Sequence, residues 1–162
     1  MEERRVDGSL TSGWSEIDGV IIRPLKSMAD ARGRLMELFR EDELPAGFEP
    51  AMGYISVTHP GVARGPHEHS EQSDGFCFTD GSYEITLWEN RTGKSAIKET
   101  HRAVQRYPVF MVIPPGVVHA YKNVGDRDAY VLNFPNRLYA GRGRSEPVDE
   151  IRHEEIDSEF KV

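Results

Sequence analysis

The chain has 162 residues, 38% hydrophobic and 29% charged, the balance of one soluble globular domain and not of a disordered chain. Its 20 basic and 27 acidic residues give a formal charge of −7 with no basic block, which argues against nucleic acid as a partner. No apolar run reaches membrane-spanning length, the opening M-E-E-R-R-V-D-G lacks a signal-peptide pattern, and the single Cys77 excludes an internal disulfide and fits a reducing, cytoplasmic setting.

Residues 1–17 are polar and rich in turn formers and read as a flexible N-terminal arm. From Gly19 short β-like runs alternate with Gly, Pro, Asn and Asp. The expected strands are 20–23, 35–39, 53–58, 76–79, 83–88, 110–113, 118–122 and 130–134, with one short helix near 27–31 or 41–44. In 83–88 the residues Tyr83, Ile85 and Leu87 share one face and Glu84 and Thr86 the other, the period of a half-buried strand. The stretch N-R-T-G-K at 90–94 reads as a hairpin-type turn after it. Cys77, inside F-C-F, reads as inert strand filling, and Trp88 and Trp14 as packing residues. Many short strands without a long helical pattern imply an all-β jelly-roll barrel over 18–140, with a charged C-terminal tail, 141–162, packed outside through Phe160 and Val162.

Two stretches carry the chemistry. Gly61 to Gly81 fits G-x5-H-x-H-x4-D-x6-G, and Pro114 to Asn123 fits P-x-G-x2-H-x3-N. His67 and His69 are two apart, so on a strand they point to one face. With Asp74 and His119 they make three imidazoles and a carboxylate, a set that either binds a divalent metal ion or moves protons. Tyr121, two residues after His119, shares its face. His59, His101 and His153 have no supporting pattern and are expected at the surface.

The two motifs resemble the signatures of the cupin superfamily, which implies a double-stranded β-helix, the jelly-roll barrel, with its site inside. From Asp18 to Tyr139 the chain further resembles the dTDP-4-dehydrorhamnose 3,5-epimerase family. The similar stretches are D-G-V-I-I-R-P-L, D-A-R-G-R-L-M-E-L-F-R, G-V-A-R-G-P-H, I-P-P-G-V-V-H and N-R-L-Y. The resemblance implies a cytoplasmic nucleotide-sugar epimerase that needs no cofactor. His67 would be the base, Tyr139 the acid, Arg64 a binder of phosphate or enolate, and His119 a site residue. Arg32 and Glu37 would reach the nucleotide. From their strand faces, and not from the resemblance, His69 and Tyr121 are expected at the substrate as well. Asp149 or Asp157 would orient the base. It also implies a homodimer that exchanges the apolar strand at residues 20–22.

The chain departs from that family in having Asp74 where a lysine is usual, His69 as an added imidazole, and Met52 and Tyr54 in place of a glutamine and an asparagine. These departures complete a four-ligand metal set of His67, His69, Asp74 and His119. The alternative functions are therefore a metal-dependent cupin acting on another small polar substrate, or a sugar 3,4-ketoisomerase, which R-G-x-H-x-H also resembles.

Overall fold

A computed structural model describes residues 15–162; Trp14 and the rest of the expected arm before it lie outside the described residues. Twelve strands make up nearly all of its regular structure. They are β1 (Ile21–Pro24), β2 (Ser27–Asp30), β3 (Gly33–Met36), β4 (Tyr54–Thr58), β5 (Ala63–Glu68) and β6 (Asp74–Phe78). After them come β7 (Ser82–Glu89), β8 (Lys98–Val104), β9 (Val109–Ile113), β10 (Val117–Asn123), β11 (Ala129–Asn133) and β12 (Ile151–Arg152). One antiparallel sheet runs β1-β9-β6-β11-β4 and the second β12-β5-β10-β7-β8, while β2 and β3 pair only with each other.

Alternation along the strands builds the layers. Phe76 and Phe78 of β6, Met111 and Ile113 of β9, and Val131 of β11 meet Tyr83, Ile85 and Leu87 of β7 and Val117 and Tyr121 of β10 between the two sheets. The intervening residues face outward. Cys77, Phe110 and Val112 are covered by Leu25, Phe48 and the partly buried Phe39 and Phe134. Val118, Ala120 and Trp88 lie under Phe160 of the tail. Burial pushes the Cys77 thiol up to about 12, so it stays protonated and unreactive. This is the jelly-roll barrel expected from the strand pattern.

Several elements differ from expectation. Residues 27–31 form β2 and not a helix, because Asp30 caps the turn to β3 by accepting from the Arg32 N–H, and Gly33 takes a φ of +132°. The other expected position, 41–44, does hold a helical turn, Glu41–Glu43, and further single turns lie at Arg142–Arg144 and His153–Glu155. Within the single chain, the run expected to exchange between protomers lies along β9, Ile21 opposite Val112 and Ile22 opposite Met111. Ile17, inside the expected arm, is buried in the core. Val162 stays exposed, whereas Phe160 packs its ring 5.7 Å from Trp88.

His59 is exposed as expected, but His101 and His153 are not. His101 lies half-buried, 3.2 Å from Glu99. His153 is buried with its Nε2 2.9 Å from Glu68 Oε1, because the tail folds back over β5 and carries it there.

Candidate active site

The barrel's second sheet sets the histidines side by side. His119 of β10 pairs directly with His67 of β5, and their rings lie 4.4 Å apart. Gly65, with a φ of +80°, lets β5 approach: a Cβ there would stand 2.5 Å from the His119 carbonyl oxygen. His69 follows just beyond β5, and the intervening Glu68 points to the opposite face, toward His153. Asp74 opens β6 on the other sheet. One ligand atom from each of His67, His69, Asp74 and His119 lies within 4.8 Å of the others, so two motifs far apart in sequence converge inside one barrel.

Hydrogen bonds assign each group a state. His119 Nδ1 bonds the Val117 carbonyl at 3.0 Å, leaving its Nε2 3.2 Å from Asp74 Oδ2, close but poorly aligned for a hydrogen bond. His69 Nδ1 bonds the Asp149 carbonyl, and its Nε2 lies 2.9 Å from the same Asp74 oxygen. Gln72 donates to the other Asp74 oxygen at 2.8 Å. Burial opposes charge on His69, but Asp74 and the Asp149 carbonyl outweigh it and push its pKa up to about 9. Burial likewise opposes ionisation of Asp74, yet the two imidazoles hold the carboxyl well below the usual range. Burial, with repulsion from His119 and His69, pushes His67 down to about 2. At neutral pH the cluster therefore holds a His69–Asp74 ion pair beside a neutral His67.

His67 and His69 face a cavity of about 1220 Å³ between the barrel mouth and the segment 137–150. His119, only 2% exposed, and Asp74 sit behind them. No ring nitrogen of His67 has a hydrogen-bond partner among the described residues, so its lone pair is open to the cavity. Arg64 stands at the rim, held by Thr58 Oγ1 at 3.0 Å and the Val57 carbonyl at 2.6 Å. Tyr54, Tyr121 and Tyr139 also line the space, Tyr139 at its mouth and 55% exposed.

Arg32 and Glu37 do not join the site of their own chain. Arg32 is at the tip of the separate β2–β3 hairpin, bonded to Asp30 at 2.5 Å, and Glu37 is exposed beyond it. Asp157 is exposed and lines no part of the cavity. Asp149 is adjacent to the site, but it steadies His69 and not His67. Its carboxylate accepts from the Ser70, Glu71 and Gln72 N–H groups at 2.8–2.9 Å. Burial works against that charge, but the three N–H donors hold the carboxyl below its ordinary value.

Sequence reasoning missed Arg142, Ser56, Gln72 and Asn133, all of which line the cavity. Ser56 was findable, since it shares a strand face with Tyr54 and Thr58. Arg142 carried no local signal.

A jelly roll enclosing three histidines and an acid at the two motif positions defines a cupin. Residues 28–145 match the family described as polysaccharide biosynthesis C-terminal domain, and the chain belongs to it. It is 33% identical over 126 residues to a protein of Haloferax volcanii described as "Probable low-salt glycan biosynthesis epimerase Agl13", covering 76% of this chain and 81% of that one. The barrel is of the RmlC type. It superposes on NovW, a 4-keto-6-deoxy sugar epimerase from Streptomyces spheroides, with a TM-score of 0.73 at 20% identity, over 85% of this chain and 70% of NovW. It superposes on the 3,5-epimerase RmlC of Legionella pneumophila with a TM-score of 0.72 at 19% identity, over 85% of this chain and 74% of that one.

Proposed function

We propose that this protein is an epimerase or isomerase of a nucleotide-linked 4-keto-6-deoxy sugar, working by proton abstraction beside the ketone in polysaccharide or glycan biosynthesis. The carrying observation is a neutral His67 opening into a large cavity whose Arg64 and Arg142 have no carboxylate partner among the described residues. The lining also carries Glu71, Glu146, Asp149, Glu150 and Glu154, so it is the planar guanidinium donors of Arg64 and Arg142, and not a net positive charge, that offer an anion its contacts. They suit the diphosphate of a sugar nucleotide, with Tyr54 offering a face for the sugar or base. Agl13, NovW and RmlC, each described as an epimerase, point the same way.

In this reading the ketone acidifies the neighbouring C–H and His67 takes the proton. The substrate's negative charge offsets the cost of placing a proton on His67 beside His69. Tyr139 returns a proton from the mouth of the cavity, on the other face of the ring. Incubation with dTDP-linked 4-keto sugar in deuterium oxide tests this: the C3 or C5 hydrogen should exchange. No exchange with any 4-keto nucleotide sugar would remove the reading.

A second reading rests on the four convergent ligand atoms. The donor set fits a divalent transition metal, because the Nδ1 atoms of His69 and His119 are committed to carbonyls and both Nε2 atoms face Asp74. His67, His69, Asp74 and His119 would hold the ion, which would supply a Lewis acid for a sugar oxygen. An imidazole bound to metal has no lone pair left for a C–H proton. We therefore expect exchange to survive chelation. Stoichiometric metal in protein purified without chelator, together with loss of exchange on chelation, would transfer the reaction to the metal-dependent reading.

The proposal extends to a cytoplasmic homodimer. No helix among the described residues is long and apolar enough to cross a membrane. The β2–β3 hairpin exposes Leu35 (63%), and the edge strand β4 exposes Ile55 (62%), surface that a second copy would cover. Light scattering should report twice the chain mass at micromolar concentration; a monomer there removes this part.

A further inference from the structure

Tyr121 lies on the inward face of β10, 3% exposed, at the inner end of the cavity. Edge contacts from Phe76, Phe78 and Tyr83, with ring centroids 5.5–5.9 Å away, hold its ring in place. Its hydroxyl is 2.7 Å from Ser56 Oγ. Asn133 Nδ2 in turn donates to Ser56 Oγ at 3.1 Å and to the Val131 carbonyl at 2.8 Å.

Either hydroxyl can donate in this pair, and Ser56 already accepts from Asn133. Whichever donates, the pair keeps one proton without a protein partner among the described residues, and both residues line the cavity. With Ser56 donating, that proton is the Tyr121 phenol's, the more acidic of the two.

His69 Nε2 and His119 Nε2 both face Asp74, and Arg64 gives its Nε proton and one Nη2 proton to Thr58 and Val57, which leaves the rest of its guanidinium for an anion. Tyr121 is two residues along the same strand face from His119, about 7 Å in strand rise, and the His119 ring touches that of His67.

We infer that Tyr121 is a catalytic hydrogen-bond donor to the substrate oxygen that becomes an enolate when His67 removes the neighbouring proton. The inference rests on the epimerase reading. The C–H bond breaks, its electrons form the C=C bond, the carbonyl oxygen takes the negative charge, and the proton goes to His67. Tyr121 keeps its own proton and binds the oxygen more strongly as charge develops, which lowers the barrier without tightening ground-state binding.

The test compares wild type, Tyr121→Phe and Ser56→Ala for exchange of the sugar hydrogen in deuterium oxide, with melting temperatures. Tyr121→Phe should lower kcat about 10²-fold, with KM within about twofold and the melting temperature little changed. Ser56→Ala keeps the phenol proton and should lose less than about tenfold. Wild-type exchange rates in Tyr121→Phe would overturn the inference and leave the epimerase reading intact. So would a loss in either variant that appears as raised KM and a lowered melting temperature, the mark of a merely structural role. Wild-type protein without exchange on any 4-keto nucleotide sugar would overturn both.

Discussion

His67→Asn should slow exchange of the substrate's C–H hydrogen by about 10²–10⁴-fold, the usual cost of losing a general base. The structure singles out His67 from three clustered histidines. His69 is cationic at neutral pH because Asp74 and the Asp149 carbonyl hold its proton. His119 sits behind the others and faces Asp74. Only His67 combines a neutral ring, an open lone pair and a place on the cavity wall. Asparagine is smaller and polar, and His67 makes no hydrogen bond to lose, so the melting temperature should hold. Tyr139→Phe should differ by leaving exchange in place while net inversion falls. Exchange at the wild-type rate in His67→Asn, measured by proton NMR, would reassign the base.

Asp74→Asn should lower stability by about 3 kcal/mol, the scale for stranding one partner of a buried ion pair, and the melting temperature by about 10 °C. Asp74 is the counter-charge to His69 at 2.9 Å, has His119 Nε2 at 3.2 Å, and is itself 5% exposed. The pH dependence identifies the cause. His69 has a folded pKa near 9, above its unfolded value of about 6.5, so its contribution is full below about pH 6.5 and is lost as pH rises through about 9. Asp74 is shifted down, so its contribution is present above about pH 4 and is lost in acid. His67 is also shifted down and removes stability as pH falls below about 6.5. The alkaline decline belongs to His69 alone among these three. It should appear in thermal melts of the wild type between about pH 7 and 9.5 and shrink in Asp74→Asn, where only the Asp149 carbonyl and Glu150 are left to raise His69 against burial. A variant that melts within about 2 °C of wild type, or keeps the full alkaline decline, would show that the pair is not holding the cluster.

The sequence by itself determined the fold class and the inner site. Tyr83, Ile85 and Leu87 alternate with polar neighbours, and that two-residue period is local to one strand, so it is written in the order of residues. His67 and His69 face one way for the same reason, and the two motifs named Asp74 and His119 as their companions. Polar β8 and the Gly-Pro strand β5 were not recognised as strands, because their pairing with β7 and β10 outweighs weak local propensity.

Only the tertiary structure decided which histidine is neutral. That depends on the Asp149 carbonyl reaching His69 across 80 residues and on how deeply each ring is buried. It also decided that Arg142 joins the cavity, that Arg32 and Glu37 stay away from the cavity of their own chain, and that His153 is buried on Glu68. Each of these follows from where distant segments come to rest on the barrel. Spacing along the chain records which way a side chain leaves its own strand; charge state and cavity membership depend on the dielectric and the partners that other strands bring.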